Sequence, residues 1–501
     1  MAPGAAVAAS PDEGHHHEAG SASQLGRVSF PTTCAKRVQT GFESGVAMLH
    51  SFWYEQATKT FAKVIKADPR CAMAHWGAAM ALFHQIWNEP FVGAAFAEGK
   101  QHADLAQRLA ARASPREKAY IAALKTFYDQ PETATAIARA EPYSAAMERL
   151  HQDFPADDEG AIFYALSLLA VNPLSDKSYV LPKKAGAILN DVLKRQPMHP
   201  GVSHYLIHSF DFPGLAEIAL PAARAYAQIA PAVPHALHMP SHIFTRLGLW
   251  QDSIASNQAA AEAARKYAVE TKMDGVWDQQ LHAMDYLIYA YLQLGNEAQA
   301  RKVRDEATGI TKTVPNGQTA AYALAAIPAR FAIERGDWAE AARLPVRPSR
   351  YPAIDAITYT ARALGAARSG DLSAASQAFA KLEEIHQRLV TSNDSYWATE
   401  VEIQRLESAA VIALASHREQ QAERLARAAV ELESKTDKLN VTPGSLAPAG
   451  EILGSVLLEL HRPGDASLAY EAVAKVTPNR RATLAGLARA REEAARASAS
   501  R

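Results

Sequence analysis

The feature that most limits how this chain can fold is a recurrence of about 34 residues. It is punctuated by glycines at which one apolar run ends and the next begins. Leu247-Gly248-Leu249-Trp250, Leu294-Gly295-Asn296, Arg335-Gly336-Asp337-Trp338 and Ser369-Gly370-Asp371-Leu372 share this punctuation. Glycine tolerates the left-handed backbone of a tight turn, so each segment predicts two helices meeting at a corner. At 501 residues the chain is too long for one compact core, and an array of stacked units answers that problem. Alanine, the residue least costly in a helix, dominates long stretches, and no long β-branched alternation is present. The expectation is all-α, with no strand.

Two segments give the unit more detail. Trp53-Tyr54-Glu55-Gln56-Ala57 continues to Phe61, Val64 and Pro69. A closing run leads from Leu458 and His461 through Pro463, Gly464, Tyr470 and Val473 to Pro478. Both resemble tetratricopeptide repeats, and the likeness extends over nearly all of the chain beyond residue 35. It implies an all-α, right-handed superhelical solenoid of about ten or eleven TPR-like hairpins, closed by a C-terminal capping helix. Expected boundaries are roughly 1–30 for a disordered tail, 36–200 for N-terminal hairpins, 200–310 for histidine-rich hairpins forming the site, and 311–497 for C-terminal hairpins and cap.

Composition narrows the function classes. With 52 basic and 53 acidic residues spread along the chain, no basic surface is expected to attract nucleic acid. No apolar run is long enough for a membrane span. Residues 1–25 are Ala/Ser/Gly-rich without a readable signal peptide, so a cytoplasmic location is the default. His15, His16 and His17 in that stretch are set aside as a solvated tail. Cys34 and Cys71 are the only cysteines. Two buried thiols are the simpler expectation, whereas a disulfide would fit export to an oxidising compartment.

In the resemblance, each first helix lines the concave groove through its positions 2, 5, 9 and 12, with the turn glycine at position 15. Counting back from Gly248 gives His235, His238 and His242. From Gly214 the same count gives His204, His208 and Asp211, and from Gly295 it gives His282, Asp285 and Tyr289. Of eighteen histidines, three lie in the tail, and six of the remaining fifteen fall on this one wall. Random placement explains that poorly. Imidazoles three or four residues apart on a helix can share a metal ion, and an aspartate can orient an imidazole through its second nitrogen. Pro240 threatens the middle helix unless that helix starts near Pro234. His50, His75 and His84, beside Trp53, Trp76 and Trp87, read as packing, with His84 a secondary groove candidate. Arg246 is a candidate for an anionic substrate.

The expected metal ligands are therefore His204, His208, Asp211, His235, His238 and His242, with His282, Asp285 and Tyr289 as catalytic candidates. The cofactor is a divalent transition metal (copper, iron or zinc), since imidazole suits all three. The main functional expectation is a metalloprotein, possible as an oxidative or hydrolytic enzyme on a small molecule, oxidoreductase chemistry being slightly favoured. The other is a TPR scaffold that binds a peptide or protein in its groove. Burial of the histidine wall by repeats curling in from both ends would suit the first.

Overall fold

A computed structural model describes residues 24–86, 92–173 and 175–499. His15, His16, His17 and Trp87 lie outside the described residues. The fold is an array of TPR-like helical hairpins. Its hairpins run α1 (Gln39–His50) with α2 (Tyr54–Ala67), α3 (Ala72–Leu82) with α4 (Ala94–Leu109), α5 (Pro115–Tyr128) with α6 (Ala136–Asp153), α7 (Asp158–Ala170) with α8 (Val180–Leu193), and α9 (Pro200–Phe210) with α10 (Ala216–Ile229). The sixth pairs an interrupted helix, α11 (Pro234–His238) and α12 (Pro240–Arg246), with α13 (Trp250–Glu270). Then come α14 (Asp278–Gln293) with α15 (Glu297–Gly309), α16 (Gln318–Ile333) with α17 (Trp338–Ala342), α18 (Pro352–Arg368) with α19 (Leu372–Thr391), α20 (Ser395–Ala415) with α21 (Glu419–Glu433), and α22 (Ala449–Glu459) with α23 (Pro463–Val476), before the cap α24 (Arg481–Ala499). Contrary to the strand-free expectation, β1 (Val276–Trp277) and β2 (Thr313–Val314) form a two-residue parallel bridge.

The two helices of a hairpin bury differently. In α2 only Ala57, Phe61 and Val64 are buried, a single stripe at helical spacing. In α9 every residue from Pro200 to Phe210 is buried. A helix covered on all sides can keep histidines only if their nitrogens find partners. The corners have positive φ at Gly214, Gly248, Gly295, Gly336 and Gly370, as the punctuation predicts. Phe52, Asn393, His417 and His461 take the same conformation without glycine.

Both ends contribute to the middle of the array. Trp250 Nε1 donates to the Asn479 carbonyl at 2.9 Å, and the Arg481 amide donates to Gln293 Oε1 at 2.9 Å. A β-carbon at Gly248 would collide with the Pro478 carbonyl, so glycine there serves both the turn and the approach of the closing segment. At the other end, residues 24–30, expected to belong to a disordered tail, are placed within the fold. The Arg27 amide bonds the Met198 carbonyl, and Phe30 is fully buried against Phe42, Trp76 and Tyr120. Burial of that aromatic ring outweighs the entropy that composition alone assigns to the segment. The expectation of two thiols is also corrected. Cys34 and Cys71 are disulfide-bonded, their Cα atoms 4.9 Å apart. No helix among the described residues is long and apolar enough to cross a membrane.

Candidate metal centre

Three neighbouring helices bring six histidines together. His204 and His208 lie one turn apart on α9, His235 and His238 on α11, His242 on α12, and His282 on α14. Pro240 interrupts backbone bonding but not direction. Met239 keeps helical angles, and the His242 amide bonds the Met239 carbonyl at 3.1 Å. Pro234 opens α11 at a position where its missing N–H costs nothing. All six side chains are buried.

The six rings form two triads. Ligand nitrogens of His204, His208 and His235 lie within 4.8 Å of one another, as do those of His238, His242 and His282. In the first triad the Nε2 atoms of His208 and His235 are 3.1 and 3.2 Å from His204 Nε2. In the second, His238 Nε2 and His242 Nε2 are 3.0 Å apart. Nitrogens bound to one tetrahedral ion at about 2.0–2.1 Å would stand about 3.3 Å apart. The triads adjoin: His208 and His242 have ring centroids 6.3 Å apart, His235 and His238 6.2 Å.

The opposite edge of each ring determines which nitrogen carries hydrogen. His204 Nδ1 lies 2.6 Å from the His50 carbonyl, which can only accept, so Nδ1 donates. His242 Nδ1 donates to the Asp211 carboxylate at 2.9 Å. His238 Nδ1 donates to Asn257 Oδ1 at 2.6 Å, the amide being oriented by its own donation to the Ser253 carbonyl. His235 Nδ1 faces Gln279 Oε1 at 3.3 Å. A neutral imidazole has one N–H. In these four rings it points outward, leaving bare lone pairs on Nε2. His208 differs, because Asn440 Nδ2 donates to its Nδ1 at 3.1 Å, leaving Nε2–H to donate toward His204. With both rings neutral, the Nε2 lone pairs of His238 and His242, 3.0 Å apart, face each other with no hydrogen between them, an arrangement that a cation bound there would relieve.

Five of the six rings disfavour a proton. Burial first, and neighbouring imidazoles second, hold His204, His208, His235, His238 and His282 well below the ordinary 6.5. Outward carboxylate, amide and carbonyl partners, with inward bare nitrogens, are how metal-binding histidines are usually oriented.

Three residues expected at the centre are placed elsewhere. Asp211 does not join the converging nitrogens: Oδ2 accepts from His242 and Oδ1 accepts from Arg246 Nε at 2.8 Å. Burial acts to raise this carboxyl, but Arg246 and His242 outweigh it and keep it ionised. Arg246, expected to meet an anionic substrate, is thereby engaged. Asp285 accepts from the fully buried Arg330 at 2.8 Å, and Tyr289 accepts from Arg480 at 3.1 Å. A buried guanidinium needs such partners, and this need claims both catalytic candidates. His282 is the exception, standing in the second triad.

Several residues around the triads carry no mark in the sequence. Arg330 holds the segment after α21 through Thr442 Oγ1 and the Gly444 carbonyl, both at 2.7 Å, and that segment brings Asn440 to His208. Phe52 arrives from the α1–α2 corner. A third group, His50, Glu159 and His199, also lies within 4.8 Å, and His50 had read as packing. Here hydrogen bonds suffice. Tyr205 donates to His50 Nδ1 at 3.0 Å, and His50 and His199 donate to Glu159 at 2.8 and 2.9 Å. The buried acceptors and long-range partners carry no local sequence signal.

No family model and no curated protein matches the chain. Solved structures similar to it include the APC/C hetero-tetramer Cut9–Hcn1 (12% identity, TM-score 0.36, covering 90% of this chain and 76% of that one). Others are yeast Tom70 (12%, 0.35, 92% and 89%) and the human IFIT1 dimer with m7Gppp-AAAA (11%, 0.34, 85% and 90%). Likeness at this level has no bearing on function.

Proposed function

We propose that this chain is a metalloprotein whose triads His204/His208/His235 and His238/His242/His282 each hold a transition-metal ion. The observation that carries the reading is the His238–His242 contact, two Nε2 atoms 3.0 Å apart in a buried site where the outward Nδ1 of each ring already has an acceptor. Closed structural sites have four protein ligands, whereas three leave a position for water or substrate. Copper, iron and zinc all suit imidazole, and such ions supply Lewis-acid or redox chemistry for a small molecule. Oxidative chemistry is favoured over hydrolytic, because Asp211 and Asp285 are tied to arginines and neither is left as a general base.

Elemental analysis of the purified full chain tests this. About two ions per chain are expected, and neither triad should hold its ion in the His208→Ala/His242→Ala double variant. Substoichiometric metal, indifferent to that variant, would defeat the proposal. It would also favour the second reading, a scaffold for a peptide or protein. Concave surfaces of helical arrays are binding surfaces, and that architecture supports the scaffold. The wall itself supports the metal, since α9 and most of α14 are buried and offer a partner little surface.

A further inference from the structure

We infer that Phe52 and Tyr286 each cap one of the two triads, so that the centre admits only a small ligand. This rests on the metal-binding reading above. The Phe52 ring lies 4.4 Å from His204, 5.7 Å from His208 and 5.6 Å from His235, centroid to centroid. The Tyr286 ring lies 4.9 Å from His238, 5.0 Å from His242 and 5.3 Å from His282. Each aromatic thus meets all three imidazoles of one triad and none of its partners is left uncovered.

The backbone at Phe52 sets this placement. Its φ of 53° is the left-handed conformation that glycine supplies at Gly248, Gly295, Gly336 and Gly370, and asparagine at Asn393. His417 and His461 take it at their own corners, so it belongs to the corner geometry. Here it turns the ring onto the first triad. Tyr54 stacks behind Phe52 at 5.4 Å, and His84, the secondary groove candidate, stacks on Tyr54 at 4.0 Å. The second cap is held differently. Tyr286 donates its hydroxyl to the Thr442 carbonyl at 3.3 Å.

Between the triads the facing rings, His208 with His242 and His235 with His238, have centroids 6.3 and 6.2 Å apart, which is ring contact and admits no planar molecule. Caps and packed rings together leave the open position of each ion to a ligand of two or three atoms. The substrate class is therefore a small diatomic or triatomic molecule or anion, and any larger co-substrate reacts from outside the caps.

Visible absorption of the cobalt(II)-loaded full chain, titrated with azide and with 2-methylimidazole, tests the inference. The unaltered chain should bind azide at least about tenfold more tightly than 2-methylimidazole. Phe52→Gly, which suits the turn, should raise 2-methylimidazole affinity about tenfold while moving azide less than about threefold, with cobalt uptake unchanged. Phe52→Asn, the residue used at Asn393, should act likewise and guards against a folding defect in the first variant. Equal affinity for the two probes in the unaltered chain would overturn the inference, as would parallel shifts for both in either variant. Absence of cobalt uptake defeats the metal reading together with this one, whereas uptake without discrimination defeats only the caps.

Discussion

Two buried histidine groups adjoin where the His50 carbonyl meets His204, and they solve the same problem in opposite ways. In the group of His50, Glu159 and His199, a carboxylate stands between the imidazoles and accepts from both, at 2.8 and 2.9 Å. Burial acts to raise Glu159, but the two facing imidazoles outweigh it and hold it below the usual carboxylate range. In the two triads the carboxylate and amide partners sit on the far edge, and nitrogens meet nitrogens. Position decides the role: an acceptor between rings makes a hydrogen-bonded strut, and an acceptor behind them makes a ligand set. The clusters are joined, since the His50 carbonyl is the acceptor that turns His204 inward.

The largest effects should come from removing metal. With ions present at about a thousand times their dissociation constant, a chelator should lower unfolding free energy by about 4 kcal/mol. The His208→Ala/His242→Ala chain should show no chelator response. Acid sharpens the contrast. His204, His208, His235, His238 and His282 are held below their ordinary 6.5, so on acidification the unfolded chain takes protons first. Stability of the chelated protein should fall as pH drops below about 6.5, because the unfolded state binds more protons there. Glu159 works in another window. Its contribution is present above its unfolded value of 4.5 and is lost only as pH falls through its lower folded value. Denaturant midpoints between pH 7 and 5 would separate the two, and a flat profile for the chelated chain would contradict the assignment of neutral triads.

Changes at Glu159 should be smaller and should leave metal alone. Glu159→Leu orphans two buried N–H groups, each costing about 1–3 kcal/mol. Glu159→Gln should recover much of that. The unpartnered Nδ1 of His199 can take the ring's proton, which lets Nε2 accept from the new amide. Metal content should match the unaltered chain in both. Loss of one ion per chain would erase the distinction drawn above and make this group a third site.

Much of the array was legible because its corners are local. Glycines 214, 248, 295, 336 and 370 all take the positive φ their spacing implies. Where the corner residue is Phe52, His417 or His461 the same geometry carries no glycine mark, so the first and last hairpins cannot be indexed that way. The six histidines were legible for the same local reason, sharing a register counted from those corners. Their partners were not. Asn257 sits on a second helix, Asn440 is more than two hundred positions from His208, and Phe52 reaches the wall from the first hairpin. Such contacts are set by closure of the array, which no single period encodes. Asp285 and Tyr289 show the converse: they keep the register, yet Arg330 and Arg480 from later segments engage them.

The finest test compares two contacts behind the second triad. Asn257 is the acceptor that keeps the His238 N–H outward, at 2.6 Å and fully buried. Asn257→Leu removes it, and a lost partner of this kind typically costs ten- to a hundredfold in metal affinity, about the range expected here. Tyr286 lies 3.3 Å from His242 Nδ1, but Asp211 already accepts that N–H at the shorter distance. Tyr286→Phe keeps the ring and gives up only two long contacts, so stability should fall by no more than about 1 kcal/mol and metal affinity should barely move. Competition with a chromophoric chelator measures both variants on one scale. If Tyr286→Phe weakened metal as much as Asn257→Leu, the hydroxyl rather than Asp211 would be fixing His242, and the division between outward acceptors and inward lone pairs would have to be redrawn for that ring.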